Sequence, residues 1–139
     1  MPHNSWILVE KVREALGLQI CMQYVDPNDP DKRLSVLQVS QSASEKIMQH
    51  CVIPNDGGQP FLAFDPVDSR SWIKSVSGAI ASAQAQNYLP ILLCGTPEVR
   101  QLVYNSINRE MPRTVVLSVN EVVAAGKNVN LEILGEIDV

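Results

Sequence analysis

The segment Tyr88–Cys94 constrains the fold of this 139-residue chain more than any other stretch. It is a nearly continuous apolar run of strand length, which is typical of a strand buried on both faces of a parallel sheet. Gly95, Thr96 and Pro97 follow as a turn and a helix start, with Thr96 as the N-cap and Pro97 at the first helical position. A buried strand that leads directly into a helix predicts an α/β fold.

Strand and helix patterns alternate on both sides of this segment. The predicted strands span residues 33–40, 61–64, 88–94, 114–118 and 129–136. The predicted helices begin at Ser5, at Ser42 or Ser44, at Pro66 after an Asp65 N-cap, and at Pro97. The connection from Val119 to Asn128 has an Ala-rich middle, which predicts one helical turn. The fold class that follows is α/β, with a small mixed β-sheet, helices packed on it, and one separate helix before it.

A run of turn-forming residues from Asp26 to Asp31 separates that first helix from the rest of the chain. We therefore predict a boundary, with residues 1–31 as a helix and a Pro-rich linker and residues 32–139 as the α/β domain. Gly17 weakens or bends the helix. Its apolar stripe at helical spacing consists of Leu8, Val12, Leu16 and Ile20.

Composition and charge exclude several classes of protein. A net charge of −4 with only 11 Lys and Arg argues against a nucleic-acid binder and against docking on an anionic membrane. No apolar run approaches the roughly 20 residues that cross a bilayer. The three cysteines, Cys21, Cys51 and Cys94, are widely spaced and odd in number, which indicates reduced thiols in a cytoplasmic protein. Neither these thiols nor the two histidines have metal-ligand spacing, so no metal or cofactor is predicted.

The segment Cys94–Arg100 has the Cys-x5-Arg spacing of the anion-binding loop in thiol phosphatases. In such a loop a cysteine thiolate attacks phosphorus, while backbone N–H groups and the arginine hold the phosphate oxygens. Pro97 removes one N–H donor, and Glu98 places negative charge where phosphate would bind. A buried strand-end cysteine before an ordinary helix is therefore favoured. A small phosphatase-like hydrolase that uses Cys94 and Arg100 is the alternative function.

Asn120 and Glu121 follow the predicted strand at 114–118, where active-site residues often lie in α/β sheets. One carboxylate without a partner His, Lys or second acid does not make a catalytic mechanism. We therefore predict a structural role, in which Asn120 sets a turn after the strand. Glu121 is expected to accept backbone N–H groups or to pair with Arg100 or Arg113. No catalytic residue is assigned.

Several stretches together carry a resemblance to a known family. They are Val12–Ile20, Leu34–Val39, Pro90–Cys94, Pro97–Arg100 and Val116–Val122. These stretches resemble the FlhA/InvA/LcrD family, the export-gate proteins of flagellar and virulence-associated type III secretion, which reads VR-x-ALGR-x-I in the first stretch. In the later ones the family reads PVLL(C/V)SP-x-LR and VLS-x-NEI, the most specific part of the match. Leu18 departs from the family, which usually has Arg there, and the connection after Glu121 is longer than usual.

The resemblance implies that the chain is a fragment of a longer protein, with a bundle of membrane helices followed by four cytoplasmic subdomains. Residues 1–31 then match the last helix of the third subdomain with its linker, and residues 32–139 match the fourth. The family forms a homo-oligomeric ring at the cytoplasmic side of the bacterial inner membrane, where it receives export substrates with their chaperones. The implied function is a non-catalytic interaction module of the export gate. Its partners are other copies of the parent and chaperone–substrate complexes, and its structural or interaction residues are Asn120, Glu121 and Arg100.

Overall fold

The computed structural model describes residues 5–139. Its helices are α1 (Ser5–Ala15), α2 (Gly17–Met22), α3 (Gln41–Gln49), α4 (Pro66–Ala85), α5 (Pro97–Ile107) and α6 (Val119–Ala125). Its strands are β1 (Arg33–Val39), β2 (Cys51–Val52), β3 (Phe61–Leu62), β4 (Ile91–Cys94), β5 (Val115–Ser118) and β6 (Asn130–Ile137). Within this described part, no helix combines the length and the apolar composition that a membrane span requires.

The main sheet has four strands in the order β5-β4-β1-β6, and every neighbouring pair is parallel. Helices connect successive strands of this sheet, so each strand starts again from the same end. The antiparallel pair β2–β3 forms a separate two-stranded sheet. The α/β class is thus confirmed, but parallel and antiparallel pairing occur in two sheets rather than in one mixed sheet.

The core consists of two apolar layers, one on each face of the main sheet. On one face, α3, α4 and α5 pack over Leu92, with Val76 and Ile80 in the same layer as predicted. On the other face, α2 and α6 pack over Ile91 and Leu93. All four residues of β4 are buried, which explains why its sequence is apolar without alternation.

Side-chain caps determine where the helices begin. Asp65 and Thr96 accept hydrogen bonds from backbone N–H groups three residues ahead, as the sequence predicts for α4 and α5. Ser40 does the same for α3 by accepting from the Ala43 N–H at 3.0 Å. Since Ser40 is the cap, α3 begins at Gln41, before the predicted starts at Ser42 or Ser44.

The first helix folds back onto the domain, but of its predicted apolar stripe only Ile20 packs against the core. Leu8, Val12 and Leu16 are 63%, 49% and 46% exposed, whereas Glu10 is buried. The helix is interrupted before Gly17, where α2 begins, as the bend predicted there requires. The polar side of α1 is turned inward because the domain offers it charged partners.

A charged junction as the candidate functional site

Two ion pairs attach α1 to the α/β domain. The Nε of Arg100 donates to Oε1 of Glu10 at 2.7 Å, and its Nη2 donates to Oε2 at 2.8 Å. The Nε of Arg13 donates to Oε2 of Glu121 at 2.7 Å, and its Nη2 donates to Oε1 at 3.2 Å. Both contacts are bidentate, the strongest geometry for a guanidinium and a carboxylate. They attach α1 to α5 through Arg100 and to α6 through Glu121.

The two pairs meet at one backbone oxygen. The Val116 carbonyl accepts from Nη1 of Arg100 at 3.1 Å and from Nη2 of Arg13 at 3.4 Å. We call this set, which comprises Glu10, Arg13, Arg100, Glu121 and the Val116 carbonyl, the charged junction. Its two positive and two negative charges balance, and throughout residues 5–139 no buried side-chain N or O atom lacks a hydrogen-bond partner. A balanced, fully bonded arrangement is the condition under which buried charges are tolerated.

Burial and the charge of Glu121 have opposite effects on the pKa of Arg13, which is the more exposed arginine of the junction. Arg13 has 28% of its side chain exposed, compared with 1% for Glu121. Burial opposes the charged form of Arg13, but the hydrogen bond and the negative charge of Glu121 outweigh it and raise the pKa of Arg13. The Arg13 guanidinium is therefore always charged, so deprotonation of Arg13 does not break its ion pair with Glu121.

Glu121 is also fixed from its own helix. Its Oε1 accepts from the Ser118 N–H at 3.1 Å, while Oγ of Ser118 accepts from the Glu121 N–H at 3.3 Å. This reciprocal pair is a capping box, and its signature Ser-x-x-Glu is a local pattern in the sequence at Ser118–Glu121. The ion-pair partner of Glu121 is Arg13, not Arg100 or Arg113 as expected. Arg100 is instead paired with Glu10. No local sequence pattern predicts this pairing.

Asn120 does not set a turn, so that prediction is wrong. Ser118 caps α6 directly at the end of β5, and Asn120 lies in the first turn of the new helix. Its side chain is half-buried and makes no hydrogen bond with residues 5–139. It lines a cleft of about 260 Å³ with Trp6 of α1 and Pro97 of α5. Asn120 thus lies at the rim of the charged junction.

The cysteine and arginine of the Cys-x5-Arg segment do not form an anion cradle. Cys94 is completely buried, and this burial raises the pKa of its thiol well above the ordinary value, although the charge of Arg100 lowers it. The guanidinium of Arg100 bonds Glu10, the Val116 carbonyl and Oε1 of Gln101, the last at 2.9 Å. A thiol that stays protonated and has no access to solvent is not a nucleophile. The structure therefore gives no support to the phosphatase alternative.

Close packing of α2 against α6 completes the surroundings of the junction. A Cβ atom on Gly17 would lie 2.4 Å from the backbone oxygen of Glu121 and 2.7 Å from Cβ of Ala124. The same oxygen accepts a weak hydrogen bond from Sγ of Cys21 at 3.7 Å. Burial raises the pKa of Cys21 to about 11, and the negative charge of Glu121 adds to that shift. Gly17 was expected to weaken or bend the helix, and in addition its lack of a side chain is what lets the two helices touch.

Comparison with known proteins agrees with this architecture. The model of the FHIPEP family matches residues 2–127. The flagellar biosynthesis protein FlhA of Bacillus subtilis (strain 168) is 32% identical over 136 residues, which are 98% of this chain and 19% of that protein. The chain thus spans about a fifth of the length of this curated relative.

Solved structures of the same fold extend the comparison. The Chlamydia pneumoniae CdsV protein is 26% identical with a TM-score of 0.74, and the match covers 96% of this chain and 35% of that one. The C-terminal domain of InvA is 25% identical with a TM-score of 0.68, over 94% of this chain and 37% of that one. Together with the family match over residues 2–127, these similarities confirm the resemblance found in the sequence, and the chain belongs to the FHIPEP family of FlhA/InvA/LcrD proteins.

Proposed function

We propose that this chain is a non-catalytic protein-interaction module of a type III protein export gate. The observation that carries the proposal is the family match over residues 2–127, joined to a shared fold with CdsV and the C-terminal domain of InvA. The parent protein acts at the cytoplasmic side of the bacterial inner membrane, as a ring of copies that receives export substrates with their chaperones. Flagellar and virulence-type systems are both compatible with this role.

Within the parent, residues 1–31 form the last helix of the third subdomain and its linker, and residues 32–139 form the fourth subdomain. The exposure of Leu8, Val12 and Leu16 supports this division, because these side chains form an apolar stripe on α1 that the α/β domain leaves uncovered. Helix α1 touches the domain through its polar side instead, while α2 after it packs on the sheet through apolar residues such as Cys21. An element that is charged towards one neighbour and apolar towards the outside is suited to joining two subdomains.

The charged junction then sets the angle between those subdomains. Glu10 and Arg13 lie on the third-subdomain helix, whereas Arg100 and Glu121 lie on the fourth subdomain. Two bidentate contacts that share one carbonyl acceptor restrict rotation of α1 far more than a single contact would. Arg100 and Glu121 therefore serve as structural residues, with consequences for docking by export partners, while Asn120 serves as an interaction residue in the cleft at the rim of the junction.

The test is secretion by cells that carry the full-length parent gene, normalised to the abundance of the parent protein. Glu121→Gln keeps the shape of the side chain and an oxygen for the Ser118 cap, but it removes the charge that holds Arg13. We expect secretion to fall at least about fivefold at unchanged abundance. This fall corresponds to a loss of about 1 kcal/mol in the free energy that holds α1 in its orientation. Glu14→Gln is the control, since Glu14 is an exposed carboxylate on α1, next to Arg13.

Three outcomes would contradict the proposal. Unchanged secretion by the Glu121→Gln cells at unchanged abundance would remove the junction from the export mechanism. Equal loss in the Glu14→Gln control would assign the effect to the removal of any one carboxylate near α1 rather than to the ion pair with Arg13. Export of the usual substrates by cells that lack the parent gene altogether would remove the export role itself.

A further inference from the structure

The outer edge of β6 is the one long stretch of main-sheet backbone with no neighbouring strand among residues 5–139. β6 is last in the order β5-β4-β1-β6, and it pairs with β1 on one side only. At the opposite edge, β5 is short and almost entirely buried, whereas β6 has eight residues and is largely accessible. An accessible edge of this kind is a template for another extended chain.

The direction of the free backbone groups follows from the pairing with β1. The Asn130 N–H donates to the Lys32 carbonyl at 2.9 Å, so Asn130 directs its backbone groups towards β1. Because directions alternate along a strand, Leu131 and Ile133 direct their N–H and C=O groups outward. The register shifts after Ile133, where Leu134 is an extra residue, and this bulge ends the regular edge. The free template therefore covers residues 130–133.

The side chains along this edge determine which kind of extended chain can pair with β6. Leu131 and Ile133 are 43% and 42% exposed and lie on one face, beside Leu34 and Val36 of β1, which are fully buried. Glu132 lies on the other face, where its Oε1 accepts from Oγ of Ser35 at 2.6 Å. A strand added here would place one face against two apolar side chains and the other face against a carboxylate.

Charge decides between two kinds of occupant. Residues 130–139 contain three acidic side chains, Glu132, Glu136 and Asp138, and no Lys or Arg. A second copy paired through residues 130–133 would bring the two Glu132 carboxylates onto neighbouring strands, where like charges are destabilising. An extended segment with Lys or Arg on one face and apolar side chains on the other would pair with both faces of β6.

We propose that the outer edge of β6 binds an extended segment of another polypeptide by strand addition, and that this segment alternates basic and apolar residues. Backbone hydrogen bonds from Leu131 and Ile133 hold the segment, while Glu132 and the two apolar side chains select its sequence. This binding does not depend on the export role proposed above.

The experiment is amide hydrogen exchange measured by NMR on the chain of residues 1–139. The probe is an eight-residue peptide of alternating valine and lysine at about 1 mM, a concentration that detects even weak binding. We expect exchange at the amides of Leu131 and Ile133 to slow about tenfold, because a bound strand covers their outward N–H groups. Two control peptides, one with glutamate for lysine and one with a central proline, should leave exchange unchanged.

Variants of the protein separate edge pairing from other kinds of binding. Ile133→Pro removes an outward N–H that β1 does not use and should abolish protection at Leu131. Ile133→Thr keeps that N–H and should preserve it. Should Ile133→Pro fail to fold, Glu132→Gln provides the second test, since it keeps an oxygen for Ser35 and removes the charge. We expect Glu132→Gln to weaken binding of the valine–lysine peptide by about threefold or more.

Four results would overturn the proposal. The first is no protection at Leu131 and Ile133 by the valine–lysine peptide, and the second is equal protection by the glutamate peptide. The third is a folded Ile133→Pro variant that binds as well as Ile133→Thr. The fourth is protection of the same amides without peptide that rises with protein concentration, which would make a second copy the occupant.

Discussion

At the scale of single residues, the buried pair of Glu10 and Arg100 should contribute more to stability than any exposed charge on the chain. Arg100→Met leaves Glu10 buried without a partner, and we expect it to lower the free energy of unfolding by about 3–5 kcal/mol. The double variant Glu10→Met with Arg100→Met removes both charges and should be less destabilised than the single one. Urea unfolding followed by circular dichroism measures these differences.

An exposed arginine provides the control for that measurement. Arg113→Met should change the unfolding free energy by less than about 0.5 kcal/mol, because Arg113 is exposed and makes no ion pair within the described residues. A double variant that loses as much as or more than Arg100→Met alone would show that Glu10 finds solvent when its partner is removed, and that the pair is not buried in solution.

Residue-scale features differ in how far the sequence predicts them. The caps Asp65 and Thr96 are predictable because cap and helix are neighbours along the chain. The capping box at Ser118 is equally local and could have been predicted from Ser-x-x-Glu. The contact of Glu10 with Arg100 joins residues 90 positions apart, and neither has a neighbouring signal that names the other. Such a pairing depends on the final packing of α1 and is invisible before the fold is known.

At the scale of elements, the approach of α2 to α6 depends on one missing side chain. Gly17→Ala would place a Cβ atom 2.4 Å from the Glu121 carbonyl oxygen, a backbone atom that cannot rotate away. The helices must separate, and we expect a loss of about 1–3 kcal/mol in the free energy of unfolding. Thermal unfolding of Gly17→Ala beside the unaltered chain checks this prediction.

Gly78 in α4 is the matched control for that substitution. A Cβ atom on Gly78 would meet no other atom within 4 Å, so Gly78→Ala adds a methyl group in open space. We expect Gly78→Ala to be neutral or to stabilise the chain by up to about 1 kcal/mol, since alanine favours a helix interior. Equal destabilisation by both substitutions would show that the contact with α6 does not explain the effect at Gly17, since alanine by itself favours the helix.

The elements themselves follow from local pattern, but their arrangement does not. The unbroken apolar run at 91–94 and the period of α4 predict a buried strand and an amphipathic helix, which the structure has. The order β5-β4-β1-β6 places β1 between two strands that are distant in sequence, and no local pattern encodes that neighbourhood. For the same reason, the apolar spacing on α1 does not reveal that charged partners turn Leu8, Val12 and Leu16 outward.

At the scale of the whole molecule, stability should depend chiefly on the core around β4. Leu92 is fully buried between its neighbours in β1 and β5. Leu92→Ala leaves a cavity that rigid strands cannot close, and we expect a loss of about 2–5 kcal/mol. Leu89→Ala is the control, because Leu89 is 52% exposed just before the strand, and it should cost less than about 1 kcal/mol. Chemical denaturation of both variants gives the comparison, and a loss well under 1 kcal/mol for Leu92→Ala would contradict the assigned core.

The shared carbonyl oxygen of Val116 determines how α1 responds to a mechanical force. It belongs to β5, which is paired along its length with the buried strand β4, so it is a stationary point. Two hydrogen-bonded routes connect α1 to this oxygen. Arg13 donates to it directly, and Glu10 is bonded to Arg100, which donates to it as well. A slip of α1 by one residue, about 1.5 Å, would lengthen both routes at once. A force that pulls α1 along its axis is therefore resisted until both contacts break together. The charged junction should release α1 in one cooperative step rather than stretch gradually.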